Sequence, residues 1–347
     1  MTNQRYSRVK LFGAGVAVFL VIQMFHLICV GEGQGNRSSF RKKVEEAFPE
    51  QTSRITERYG LKPYGEENNP RTENAKLSVI LVHGLDEPGK VWMNLAPALQ
   101  ENGFEVWLMH YPNDQPIRES AKFLFDQIHS GQSRLKSDLI LITHSMGGLV
   151  AREMLTSPEL HTQDQTEKDG LPEVRQLIMV GTPNHGSHLA HFRVFAELRE
   201  QIFHMAKGEY HWLLPILDGA GEAGKDLLPG SEFLETLNHR KNPENIKITV
   251  IAGVMSPLEK NDARQIIQSL SDKLSPGGKA VFDTVANKVN SLLNELGDGA
   301  VSLESARLSG MAMETVTGTH LSIIRNISPD SERIPPAIPV IIQCLQE

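Results

Sequence analysis

Leu139-Ile140-Leu141-Ile142-Thr143-His144-Ser145-Met146-Gly147-Gly148-Leu149-Val150-Ala151-Arg152-Glu153-Met154 is the stretch from which the fold can be read. Its short apolar run has the form of a buried strand, and the apolar-periodic segment after it has the form of a helix. Between them, Thr143-His144-Ser145-Met146-Gly147 fits a sharp strand-to-helix turn that lifts a serine hydroxyl clear of the sheet edge. Gly147 and Gly148 let the helix approach the strand closely. Thr143 stands where the full G-x-S-x-G pattern has its first glycine. The turn puts the Met146 N–H at a helix start, facing any negative charge that forms beside Ser145. A loop serine that merely caps a helix would fit the same residues, so the rest of the chain has to decide between the two.

On the N-terminal side, Leu77 to Val82 is a β-rich run broken by His83-Gly84-Leu85. Helical periodicity follows over Val91 to Glu101, with Gly103 as its stop. Phe104 to Met109 is the next strand and Ile117 to Ile128 an amphipathic helix. Beyond the quoted stretch, Val174 to Val180 is a strand closed by Gly181-Thr182-Pro183. Ile246 to Ala252 and Met313 to Thr317 complete the set. Strands alternating with helices imply a mostly parallel central sheet with helices on both faces. Right-handed crossovers then put His83, Ser145, Gly181 and Gly253 on one rim. Two long stretches interrupt the alternation, near 184–245 and near 255–296. They are read as a helical cap or lid inserted over that rim.

The chain has 347 residues, 40% of them apolar, and a formal charge of −7, which disfavours nucleic acid as a partner. Arg5, Arg8 and Lys10 precede Leu11 to Val30, a segment without formal charge that is long enough to span a bilayer. Residues 1–35 therefore read as a signal anchor or a signal peptide. Either one places the remainder outside the cytoplasm, membrane-anchored or secreted, with the N-terminus inside. Residues 36–75 form a polar stalk, and 76–347 the main domain. With cysteines only at positions 29 and 344, a disulfide within that domain is not expected.

A serine hydroxyl is a weak nucleophile at neutral pH; it needs a base, and the base needs an orienting carboxylate. Downstream of Ser145, Gly297-Asp298-Gly299-Ala300-Val301 offers an acid in a glycine-flanked turn. His320 in Gly318-Thr319-His320-Leu321 offers a base after the last strand. The order Ser, acid, His is the one this architecture uses. Asp86 and Asp114 are rival acids that break that order. Asp218 and Asp226 read as surface charges of the lid. His185, His188 and His191 repeat at a spacing that could suggest a metal site but also suits a polar lid face. His83 and His144 read as structural, fixing the loop and the turn by hydrogen bonds.

With those blocks in view, the chain resembles an α/β-hydrolase, specifically the triacylglycerol lipase and esterase branch. Val82-His83-Gly84-Leu85, the Ser145 turn, Gly181-Thr182-Pro183-Asn184-His185-Gly186-Ser187, the Asp298 turn and His320-Leu321 carry the resemblance. It implies Ser145 as nucleophile, Asp298 as acid and His320 as base, with oxyanion N–H groups at Leu85 and Met146. It implies no cofactor. Ser322 stands where calcium-binding relatives carry an aspartate, so no metal is expected. The implied function is a serine hydrolase cleaving esters of lipid-like or apolar acyl groups. An acyltransferase, thioesterase or amidase with the same triad, or a non-catalytic membrane-tethered binding module, are the alternatives.

Overall fold

The computed structural model describes residues 58–65, 75, 77–85, 89–113, 115–161, 172–187, 222–256, 297–326, 328 and 331–347. Its frame is a seven-stranded sheet. In chain order the strands are β1 (Gly60–Pro63), β2 (Ser78–Val82), β3 (Glu105–His110), β4 (Asp138–His144), β5 (Glu173–Val180), β6 (Lys247–Val254) and β7 (Ala312–Thr317). Their spatial order is β1-β3-β2-β4-β5-β6-β7. All neighbours are parallel except β1 and β3.

The alternation of side chains sorts the strand residues into two cores. Ile80, Val82, Leu139, Leu141, Leu177, Met179 and Val250 face one layer. Val79, Leu81, Ile140, Ile142, Ile178, Val180 and Ile251 face the other. The first layer is closed by α2 (Ile117–Ser130), α3 (Gly147–Thr156) and α6 (Glu232–His239). The second is closed by α1 (Leu95–Glu101) and by α8 (Ala337–Gln346) at the C-terminus. Three short helices, α4 (Pro158–His161), α5 (Glu222–Asp226) and α7 (Leu303–Ala306), lie in the connections. A sheet buried on both faces explains why its central strands are apolar runs rather than alternating ones.

Local chemistry sets the helix ends. The periodicity over Val91 to Glu101 is split into a 3₁₀ turn, Lys90–Trp92, and α1. The break falls at Asn94, whose Oδ1 accepts from the Asn326 N–H at 2.8 Å. Gly103, at φ 83°, ends the helix in the left-handed region. The first amide of α2, that of Ile117, donates to Asp226 Oδ2 at 2.9 Å. Asp226 is thus a half-buried helix cap and not a free surface charge of a lid.

Two boundaries differ from the sequence reading. Gly60–Pro63, read as stalk, is a sheet strand antiparallel to β3. Four residues are too few to show a period, and Pro63 can sit there because β1 is an edge strand. The far part of the stretch read as a lid, Glu232–His239, belongs to the body. Phe233, Leu234 and Leu237 of α6 are buried in the first core layer. Residues 188–221 and 257–296, which hold most of both proposed cap segments, lie outside the described residues, as do 1–57 with the apolar segment. Among the described residues no helix is long and apolar enough to cross a membrane.

The strand ends of β2, β4 and β5 are brought level by the parallel register, with Val82 opposite Thr143 and His144 opposite Val180, while β6 and β7 run on past Ile251 to Val254 and Thr317. The start of α3 is pressed onto them. A Cβ on Gly147 would lie 2.3 Å from the Val82 carbonyl oxygen and 2.6 Å from that of His83. Backbone carbonyls cannot yield as a side-chain tip can. Gly147→Ala is therefore expected to destabilise the protein by about 1–3 kcal/mol despite alanine's better helix propensity. An unchanged midpoint in thermal and urea unfolding would contradict this packing.

Candidate active site

Ser145 follows the last residue of β4 and precedes α3. Its φ is 55°, and it alone among the described non-glycine residues has a positive φ. Such backbone strain in a residue with a Cβ persists only where the surroundings enforce it. Here the Ser145 N–H donates to the Val180 carbonyl at 2.8 Å, extending the β4–β5 ladder into the turn. Thr143 Oγ1 donates to the Ile178 carbonyl at 3.2 Å, which suits a threonine at the position the pattern gives to glycine. Gly148 supplies the second close approach: a Cβ there would lie 2.1 Å from Thr182 Oγ1. Met146 is the N-cap of α3, and its backbone lies at the positive end of that helix.

Asp298 and His320 are brought together on the same rim. The turn 297–302 is closed by a bridge between Gly297 and Ser302, with Gly299 at φ 90°. Asp298 Oδ1 accepts from the Ala300 and Val301 N–H groups at 2.8 and 2.7 Å. That fixes the carboxylate and leaves Oδ2 to His320 Nδ1 at 2.8 Å. With the carboxylate accepting at Nδ1, the imidazole carries its proton there and presents Nε2 as the basic nitrogen. The His320 N–H also donates to the Asp298 carbonyl at 3.0 Å, so backbone and ring are tied to one residue. Gly181 lies beneath the pair. A Cβ on it would come within 3.1 Å of the imidazole Cε1 and 3.3 Å of Asp298 Oδ2.

The flanking histidines are structural links. His144 Nε2 donates to the His320 carbonyl at 3.0 Å, and the two rings lie 4.7 Å apart. This joins the residue before Ser145 directly to the imidazole's backbone. His83 Nδ1 donates to the Gly84 carbonyl at 2.8 Å. Gly84 touches the turn itself: a Cβ on it would lie 2.7 Å from Ser145 Cβ and 3.2 Å from Oγ. Leu85 follows and is buried. Ser322 Oγ accepts from the Thr319 N–H at 2.8 Å and so stiffens the turn that carries His320. The rival acids Asp86 and Asp114, and Asp218, His188 and His191, lie outside the described residues.

A second layer of polar groups holds the loop after β5, and sequence reasoning did not assign it. Arg152, buried on α3, donates from Nη1 to Asn184 Oδ1 and Asn238 Oδ1, both at 3.0 Å. Asn184 Nδ2 donates to the Ala306 carbonyl at 2.7 Å, and Asn238 Nδ2 to that of Asn184 at 2.9 Å. Burial lowers the Arg152 guanidinium to about 10. The neighbouring Glu153, also buried, pairs with Arg240 at 2.6 Å. The signal available in the sequence was the pair Arg152-Glu153 inside an otherwise apolar helix.

Comparison with solved structures places this rim in a known architecture. The mature form of the Bacillus licheniformis lipase BlEst2 is 20% identical with a TM-score of 0.53, covering 82% of this chain and 97% of its own. The Staphylococcus hyicus lipase is 16% identical with a TM-score of 0.52, covering 81% and 97%. The phospholipase PlaB from Legionella pneumophila is 19% identical with a TM-score of 0.51, covering 79% of this chain and 60% of its own. The chain has the α/β-hydrolase fold. A family model described as a domain of unknown function (DUF7379) matches residues 113–217. No curated protein matches the sequence.

The Arg152 network has a measurable consequence for this fold. Arg152→Met keeps the bulk but leaves the buried Asn184 and half-buried Asn238 amide oxygens without this donor, so it is expected to cost about 1–3 kcal/mol. Arg152→Ala adds the lost packing of a large buried side chain and is expected to cost more. Urea denaturation of both variants checks the order; equal stability of wild type and Arg152→Met would show that the network carries no net stabilisation.

Proposed function

We infer that this chain is a serine hydrolase that cleaves carboxylic esters of apolar, lipid-like acyl groups. One juxtaposition carries the reading: Ser145, strained at φ 55°, shares a rim with an imidazole whose Nδ1 is held 2.8 Å from a buried carboxylate. Ser145 Oγ attacks the acyl carbon while His320 Nε2 takes the hydroxyl proton. The Leu85 and Met146 N–H groups receive the oxyanion of the tetrahedral intermediate. As that intermediate collapses, the ester C–O bond breaks and the leaving alkoxide departs with the proton from His320. Water, deprotonated by the same nitrogen, then hydrolyses the acyl-serine and regenerates the hydroxyl. Asp298 holds the imidazole in the tautomer these steps need and faces the imidazolium that forms. Every step uses groups of the chain and water.

The lipase and phospholipase names of similarly folded proteins support an ester of a lipid-like acyl group as the substrate class. The uncharged segment Leu11 to Val30 with its basic flank supports a membrane tether for such an enzyme. A different acceptor or leaving group would make the same arrangement an acyltransferase, a thioesterase or an amidase. A panel of p-nitrophenyl esters, thioesters and amides, with and without added alcohols, separates these outcomes.

Two substitutions test the roles. A fluorophosphonate probe is expected to label the wild-type protein and not Ser145→Ala; labelling that persists in the variant would move the nucleophile elsewhere. Asp298→Asn should leave the fold intact and lower kcat on an active ester by about 10⁴-fold, because the imidazole then prefers the wrong tautomer. Near-normal turnover would transfer the acid's role to Asp86 or Asp114, and the same substitution at each would show which.

A further inference from the structure

We propose that Tyr111 and Asn113, just after β3, are positioning residues that aim the Leu85 N–H into the oxyanion site by holding the two backbone carbonyls that precede it. The inference rests on the ester-hydrolase reading and deepens it. Three side-chain donors converge on consecutive backbone carbonyls. Tyr111 Oη donates to the His83 carbonyl at 2.6 Å. His83 Nδ1 and Asn113 Nδ2 donate to the Gly84 carbonyl at 2.8 and 3.4 Å. The imidazole of His83 also stacks on the Tyr111 ring, with centroids 4.6 Å apart. All three side chains are buried, so none of these bonds is exchanged freely with water.

The consequence for Leu85 follows from covalent geometry. The Gly84 C=O and the Leu85 N–H belong to one planar trans peptide and point in opposite directions. A carbonyl drawn towards His83 and Asn113 therefore turns the amide the other way. The same glycine is in contact with Ser145, where its missing Cβ would lie 2.7 Å from Ser145 Cβ. The peptide that carries the amide is thus anchored at its oxygen and pressed against the serine at its Cα. An oxyanion donor acts only if it is aimed before the charge forms, since a loop that must reorient loses most of the benefit. Burial raises the Tyr111 hydroxyl well above its ordinary value, which keeps it a donor over the whole working range of a serine hydrolase.

The neighbouring positions are not alternatives for this role. Met146, the other amide, is placed by the start of α3 and needs no side-chain clamp. The β2 loop is held instead by the side chains that follow β3. A purely structural account, in which the side chains only satisfy buried carbonyls, predicts lost stability without a selective effect on the transition state.

The experiment uses the full chain and its Tyr111→Phe and Asn113→Ala variants. Tyr111→Phe keeps the ring and its stacking and removes only the hydroxyl. Three readouts are taken: the second-order rate of labelling by a fluorophosphonate, kcat and KM on a p-nitrophenyl ester, and inhibition by a trifluoromethyl ketone, which forms a tetrahedral oxyanion adduct with a serine. Labelling and kcat are expected to fall by about 10–100-fold in Tyr111→Phe, with KM within about twofold of wild type. Affinity for the ketone should weaken by the same factor as kcat. Asn113→Ala should show the same pattern at smaller size, because its bond is the longer one. Labelling in the wild type that continues at full rate in both variants would overturn this inference alone, as would a change confined to KM or to the unfolding midpoint. A wild-type protein that the probe does not label would overturn the hydrolase reading, and this inference with it.

Discussion

The rim exists because three glycines let neighbouring segments meet at distances a methyl group would forbid. Gly147 brings the start of α3 against the carbonyls of Val82 and His83, Gly148 brings it against Thr182, and Gly84 brings the β2 loop against Ser145. Two of these contacts join the end of β2 to the turn and the third joins the end of β5 to it. With them in place, Ser145 is left with one backbone conformation, and that conformation is the strained one. The strain is offset by the ladder on both sides of it, where two apolar layers bury the central strands. The active arrangement therefore depends on ordinary core packing more than on any single polar bond.

The polar groups around the rim fall into local devices that share one helix. Asp298 is oriented by the amides of its own turn, and His320 by Asp298 and by the residue before Ser145. The loop after β5 is held from α3 through Arg152. Hence α3 both shapes the serine turn and anchors the chain where it leaves towards residues 188–221. A shift of this helix would move the serine and that exit together.

Much of the parallel sheet could be read from the sequence because fully buried strands announce themselves as apolar runs. The runs around Val79, Ile140 and Ile178 coincide with β2, β4 and β5. The Asp298 turn was legible from its glycines, and the bond to His320 follows from that presentation. What escaped was structure held by tertiary contact. β1 has no period of its own and is a strand only because β3 offers it an edge. Helix α6 was assigned to a lid because it lies in a long connection, yet Leu234 and Leu237 bury it in the core. Tyr111 and Asn113 look like an ordinary strand exit until the fold brings them beneath His83 and Gly84, and only distance along the chain hid this. Arg152 was unassigned because its partners, Asn184 and Asn238, come from separate elements.

The cap on α2 gives the molecule a response to acidity that runs against the usual one. Asp226 is half-buried, and desolvation raises its carboxyl above the ordinary value, outweighing the opposing help of the Ile117 amide and Arg118. The folded chain therefore holds a proton on Asp226 at a pH where the unfolded chain has already released it. By linkage, this site's contribution to stability is complete below the unfolded value and is lost as pH rises through the folded one. Most carboxylates in partnered positions do the reverse and make proteins fail in acid. Below that raised value Asp226 is neutral, and its Oδ2 can still accept from the Ile117 amide at the start of α2.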